Sequence, residues 1–183
     1  MISLKEMGER HKVWISYHHA DQSEVNTFVE TFDNTHDIFI SRILGFEDDI
    51  IDSRDTDYVM RVIRQRYFAD STVTIVLIGK CTWARRYVDW EIQASLRSTQ
   101  LVTPNGLVGI TLPSYSGNGY PDRLNKNLKQ DANQEDCYAR VMSYPTSTQM
   151  LKNAIEDAYQ ARTLRSHLIV NPRDRFTNNR DCK

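Results

Sequence analysis

The sequence is short of the features that mark special-purpose scaffolds. Its 183 residues include three cysteines, Cys81, Cys137 and Cys182, an odd number at wide spacing. That excludes a disulfide framework and a zinc site, and the three read as reduced thiols of a reducing compartment. No apolar stretch approaches the roughly 18 residues of a membrane-crossing helix. The opening MISLKEMGERHK carries charges where a signal peptide needs an apolar run, so a cytoplasmic protein with no membrane partner is expected. A formal net charge of -1 supplies neither an overall basic attraction to nucleic acid nor an acidic tail, and no nucleic-acid partner is expected. GxxxxGK[ST] is absent, which removes a P-loop. The one GxG, Gly117-Asn118-Gly119, precedes no helical pattern, which removes a dinucleotide fingerprint.

What is present is an ordinary globular composition, 40% hydrophobic and 10% aromatic. Residues 1–10 read as a polar leader, 11–160 as one domain and 161–183 as an arginine-rich tail that packs loosely or against a neighbour. His11–Tyr17 (HKVWISY) has the β-branched and aromatic content of a buried strand. Asp21 and Glu24 have capping-box spacing, and Val25, Phe28, Val29 and Phe32 follow at i, i+3, i+4 and i+7, the stripe of an amphipathic helix. A second strand is expected from Asp37 to about Leu44. Strand, helix and strand in so few residues imply a parallel pair with a right-handed crossover.

Residues 45–54 (GFEDDIIDSR) form a charged loop, read as a solvated connector because no histidine or ligand spacing makes it a metal site. A helix with Tyr58, Val59, Val62, Ile63 and Tyr67 inward comes next. Val73–Ile78 is a continuous apolar run, the signature of a central parallel strand buried on both faces. Thr82 could cap the helix after it. A fourth strand (LVGITLP), a polar insertion over about 114–136, a fifth strand (YARVMSY) and a last helix opened by Pro145-Thr146-Ser147 complete the chain. The whole predicts an α/β fold, a doubly wound, flavodoxin-like parallel five-stranded sheet in the order 2-1-3-4-5. Ligands of such sheets sit beyond the carboxyl ends of the strands, beside strand 1.

The stretch Trp83–Leu96 (WARRYVDWEIQASL) delivers its start to that place. As a helix it carries Ala84, Val88, Ile92 and Leu96 on an apolar stripe, with Trp83, Tyr87 and Glu91 on the adjoining face. Glu91 has no basic residue three or four positions away, so no ion pair within the helix accounts for it. A partly desolvated carboxylate beside rings suits a polar or cationic ligand. A phosphorelay receiver is excluded, since strand 3 ends in Gly79-Lys80 rather than in an aspartate. His18-His19 lacks partner ligands for a metal, and no metal or cofactor is expected.

HKVWISYHHADQSEVNTFVETF resembles the first box of Toll/interleukin-1 receptor (TIR) domains, and VTIVLIGKCTWARRYVDWEI resembles their third strand and glutamate helix. The wording VLIG…T…YVDWEI, with the insertion before strand 5, is most similar to the bacterial TIR-like branch found in Thoeris anti-phage defence. The resemblance covers roughly residues 11–160. It implies an enzyme that takes NAD as substrate, cleaves the nicotinamide–ribose bond and makes a cyclic ADP-ribose isomer. That diffusible signal would reach a separate effector protein. By position, Glu91 matches the catalytic glutamate. Ser16, Tyr17 and His18 match the loop lining the cleft, and Tyr87 stands where such enzymes often have tryptophan. His18-His19 replace the usual basic pair, which would shift phosphate contacts to Arg54, Arg85 or Arg86. The resemblance also allows self-association into a homo-oligomer. Two rival readings stay open: a non-enzymatic TIR assembly module, and a nucleoside ribosyl-transferring enzyme with Glu91 as nucleophile.

Overall fold

The computed structural model describes residues 10–43, 55, 58, 61–62, 68, 70–99 and 101–182. Arg54, the rest of the charged loop 45–54, nearly all of the leader and most of the helix expected around Tyr58–Tyr67 lie outside them.

Strands β1 (Lys12–Ser16), β2 (Ile40–Ile43), β3 (Val73–Ile78), β4 (Gly106–Thr111) and β5 (Arg140–Met142) form one sheet in the order β2-β1-β3-β4-β5. Every pairing is parallel. This is the α/β, flavodoxin-like arrangement that the alternation of elements requires. β3 coincides with the apolar run and is buried throughout. Side-chain alternation splits it between two cores. Val73, Ile75 and Leu77 join Val25 and Phe28 of α1 (Gln22–Val29) and Leu151, Ile155 and Ala158 of α4 (Thr148–Leu164). Val76 and Ile78 join Val88 and Ile92 of α2 (Arg86–Ser95), with Leu124 of the short α3 (Asp122–Asn125). Helices thus cover both faces, and β1 sits where the chain turns from winding one way to winding the other.

At the start of β4, α4 passes so close that a β-carbon on Gly106 would overlap the backbone carbonyl of Ala158. Backbone cannot step aside as a flexible side chain can. Gly106→Ala is therefore expected to cost about 1–3 kcal/mol in urea unfolding. A change within about 0.3 kcal/mol would show that α4 has room to move.

Four local expectations are corrected. Asp21 stands at the start of α1 but makes no cap hydrogen bond, because its carboxylate is taken up by Thr82 at 3.2 Å. Thr82 is likewise not the cap of the glutamate helix: a 3-10 turn at Thr82–Ala84 comes first, and Arg85 precedes α2. Cys81 and Cys182 are not free thiols but a disulfide, with Cys137 left as the free, buried cysteine. Segment 170–182 does not pack loosely; it is strapped along α2.

Candidate functional site

On β1, alternation sends Val13 and Ile15 into one core and leaves Trp14 and Ser16 on the opposite face, toward α2. Val88 and Ile92 pin that helix to the sheet, and Glu91 between them is 6% exposed. Its carboxylate accepts a 2.5 Å hydrogen bond from the Ser16 hydroxyl at the carboxyl end of β1. Burial pushes the Glu91 carboxyl up to about 8, against opposing hydrogen bonds from Ser16 and the Trp14 indole. Near neutrality the free protein thus holds a protonated acid, one that a neighbouring cation would ionise.

Tyr17 and His18 follow directly on β1. The Tyr17 hydroxyl donates to Gln22 at 2.6 Å, and burial, with some help from the Glu91 charge, raises its pKa. Burial, then His19 and Arg85, lowers His18 to about 4, so its imidazole is neutral at pH 7. A neutral His18 cannot replace the basic pair it stands for. The nearby cation is Arg85, whose Nε donates to the Cys81 carbonyl at 3.3 Å. Behind these residues the Gly79 amide donates to the Thr82 hydroxyl at 2.8 Å, which donates in turn to Asp21. A β-carbon on Gly79 would strike the Asp21 carboxylate, so a larger residue there would have to displace that side chain from Thr82. Burial also raises the Asp21 carboxyl, with the Thr82 hydrogen bond opposing.

The structure therefore gathers Ser16, Tyr17, His18, Arg85 and Glu91 at the carboxyl ends of β1 and β3. Tyr87 turns to other work: its ring packs edge-on against Trp90 at 5.2 Å, beneath the Arg86 guanidinium at 4.8 Å. Arg54 lies outside the described residues. No cluster of three or more His, Cys, Asp or Glu able to hold a metal occurs among the described residues. Among them, too, no helix is long and apolar enough to cross a membrane.

Sequence reasoning missed two features of the site. Trp14 is one; the W-x-S spacing on a strand, which puts both side chains on one face, was the available signal. The other is the strap. Arg123, 3% exposed, grips Asp89 of α2 through Nε at 2.9 Å and Nη2 at 3.2 Å. The same guanidinium donates to Asn171, Pro172 and Asp174 of the strap. Asp89 also accepts the Phe176 amide at 3.1 Å, and the Trp90 indole donates to the Phe176 carbonyl at 2.8 Å. Farther on, Arg180 receives the Arg85 guanidinium on its carbonyl at 3.0 Å and donates its amide to Ala84 at 2.9 Å. The insertion that supplies Arg123 thus faces the chain's own strap, and the outer side of the glutamate helix is covered.

Among known families, a model described as "Thoeris protein ThsB, TIR-like domain" matches residues 14–116, from Trp14 on β1 through the glutamate helix and β4. A search of curated proteins gave no match. The match spans more than half of the chain, and its range contains Ser16, Tyr17, His18, Arg85 and Glu91. With this sheet order and this match together, the chain belongs to the TIR-like domain family of the Thoeris protein ThsB, a family of anti-phage defence.

Proposed function

We propose that the chain is a TIR enzyme that consumes NAD, breaking the nicotinamide–ribose bond and producing a cyclic ADP-ribose isomer as a signal to a separate effector. The observation that carries this reading is the Glu91 carboxyl, buried at the carboxyl end of β1 and held by Ser16. A structural helix glutamate belongs in water, where its charge costs nothing. This one is kept out of water without an arginine or lysine hydrogen-bonded to it among the described residues, a costly placement that a cationic substrate would reward.

The chemistry asks for little more. The nicotinamide of NAD leaves as a neutral ring from a cationic one, so no general acid is needed. As the bond breaks, positive charge grows on the ribose, the oxocarbenium-like state also met in glycoside hydrolysis. A fixed carboxylate facing that charge in a low-dielectric site stabilises it far more than water would. Tyr17 supplies a ring for the pyridinium, and Arg85 supplies a fork for the diphosphate. Attack by another atom of the same nucleotide, rather than by water, would close the cyclic product if the site excludes water.

The pH dependence follows. The active form is the carboxylate, and in the free protein it is lost as pH falls through about 8. Below that point kcat/KM is expected to drop about tenfold per pH unit, with a plateau above it. Initial rates of NAD loss between pH 6 and 9.5 give the profile. A profile flat down to pH 5 would contradict the assignment. Pure protein incubated with NAD, with and without extract of infected cells, and resolved by chromatography tests the reading as a whole. A cyclic ADP-ribose isomer is expected, and the absence of turnover in every condition would favour the assembly module.

A further inference from the structure

The disulfide joins two places that matter to each other. Cys81 lies two residues past Gly79, at the turn leading into the glutamate helix, and Cys182 ends the described strap 101 residues away. Arg85 is held between the two halves, its Nε on the Cys81 carbonyl at 3.3 Å and its Nη2 on the Arg180 carbonyl at 3.0 Å.

The strap is bound unevenly along its length. Its inner part, 170–176, has the buried Arg123–Asp89 pair, the Trp90 indole and a reciprocal pair of bonds between Asn127 and Val170. Its outer part, 177–182, has no buried ion pair and only single bonds: Arg86 to Asn179 at 3.0 Å and to Thr177 at 3.3 Å, the Arg180 amide to Ala84 at 2.9 Å, Arg85 to the Arg180 carbonyl at 3.0 Å, and the exposed Arg180–Asp122 ion pair at 2.8 Å. Exposed ion pairs contribute about 0–1 kcal/mol and ordinary hydrogen bonds about 0.5–1.5 each. Ordering the backbone costs about 1–2 kcal/mol per residue. The outer part is therefore held chiefly by the covalent bond, and the inner part is not. Both cysteines are partly exposed, so a small thiolate can reach them. In a reducing compartment a disulfide of this kind is a sensor rather than a staple.

We propose that the Cys81–Cys182 bond is a redox latch, whose reduction releases residues 177–182 from the start of the glutamate helix and transfers Arg85 from a strap carbonyl to an anionic ligand, a diphosphate. In the step, a dithiol gives two electrons and two protons to the bond, yielding two cysteine thiols, and is itself oxidised to a disulfide. Release of the strap is independent of the proposed enzymology; only the capture of a diphosphate rests on that reading.

The test uses the full chain, with and without dithiothreitol, beside Cys182→Ser. Alkylation in denaturant, followed by intact mass, counts free thiols; hydrogen exchange reads the strap. In the non-reduced protein one free thiol is expected, with a protected Arg180 amide. Reduction is expected to speed exchange at Arg180 and Arg86 by about tenfold or more while leaving Phe176 unchanged. Cys182→Ser should show two free thiols with or without reductant and exchange as the reduced wild type does. Affinity for ADP should rise several-fold on reduction of the wild type and not respond in Cys182→Ser. Three free thiols without reductant, unchanged exchange at Arg180, or loss of protection through Phe176 would each overturn the latch. Exchange as expected with no NAD turnover in any state would instead remove the enzymatic reading and leave the latch standing.

Discussion

Glu91→Gln is expected to abolish NAD turnover, by about 10³-fold or more in kcat, while making the folded protein more stable at pH 8–9. The two effects have one cause. The amide keeps the shape of the carboxyl and can still accept from Ser16, but it never carries the charge that faces the cationic ribose. Without that charge the transition state loses its main electrostatic partner. The fold gains because a buried charge has been removed. The Glu91 carboxyl stands at about 8 in the folded protein, above its ordinary 4.5. Its contribution to stability is thus complete below pH 4.5 and is eroded as pH rises toward 8. Above 8 the folded state carries the whole cost of a desolvated carboxylate. Removing that cost is worth about 1–3 kcal/mol, or a rise in Tm of about 3–8 °C for a chain of this length. The gain should vanish well below pH 4.5, where the acid is neutral in folded and unfolded chains alike. A variant that lost activity and also lost stability at pH 9 would mark Glu91 as an ordinary packing residue.

Arg123→Met is expected to be among the most destabilising single changes in the molecule. The methionine fills much of the same space but leaves Asp89 charged, with a side chain 6% exposed and only the Phe176 amide among its partners in the strap network. Breaking one side of a buried pair costs about 3–5 kcal/mol, here about 8–15 °C in Tm. The strap also loses the bonds from Arg123 to Asn171, Pro172 and Asp174, so limited proteolysis should open the chain near residues 171–176 well before global unfolding. Adding Asp89→Leu should recover part of the loss, because the orphaned charge goes with it. A Tm within about 2 °C of wild type would mean that water reaches this pair.

The sheet was legible in the sequence because burial on both faces writes a continuous apolar run. Val73–Ile78 is a strand from its first residue to its last for that reason. Ends were less legible, since they depend on contacts far along the chain. Asp21 has the spacing of a cap, yet Thr82, 61 residues away, takes its carboxylate. The turn before the glutamate helix keeps residues 82–85 out of the helical pattern that their periodicity suggests. Glu91 itself could be found, because a helix glutamate with no base at i±3 or i±4 breaks the usual pattern. Its partners could not be found that way, for Ser16 lies 75 residues earlier. The strap was least legible of all. Arg123, Asp89, Asn171 and Asp174 look like solvated polar residues until the fold brings them together. Three scattered cysteines gave no sign of which two would meet.

The proposed chemistry needs one carboxyl, that of Glu91, to be held uncharged until a cation arrives. Its ionisation can be followed as the carboxyl stretch in difference infrared spectra, wild type minus Glu91→Gln, from pH 4 to 9.5. A midpoint of about 8 is expected in the free protein, moving down when NAD is added. A midpoint near 4.5, unmoved by NAD, would contradict that chemistry.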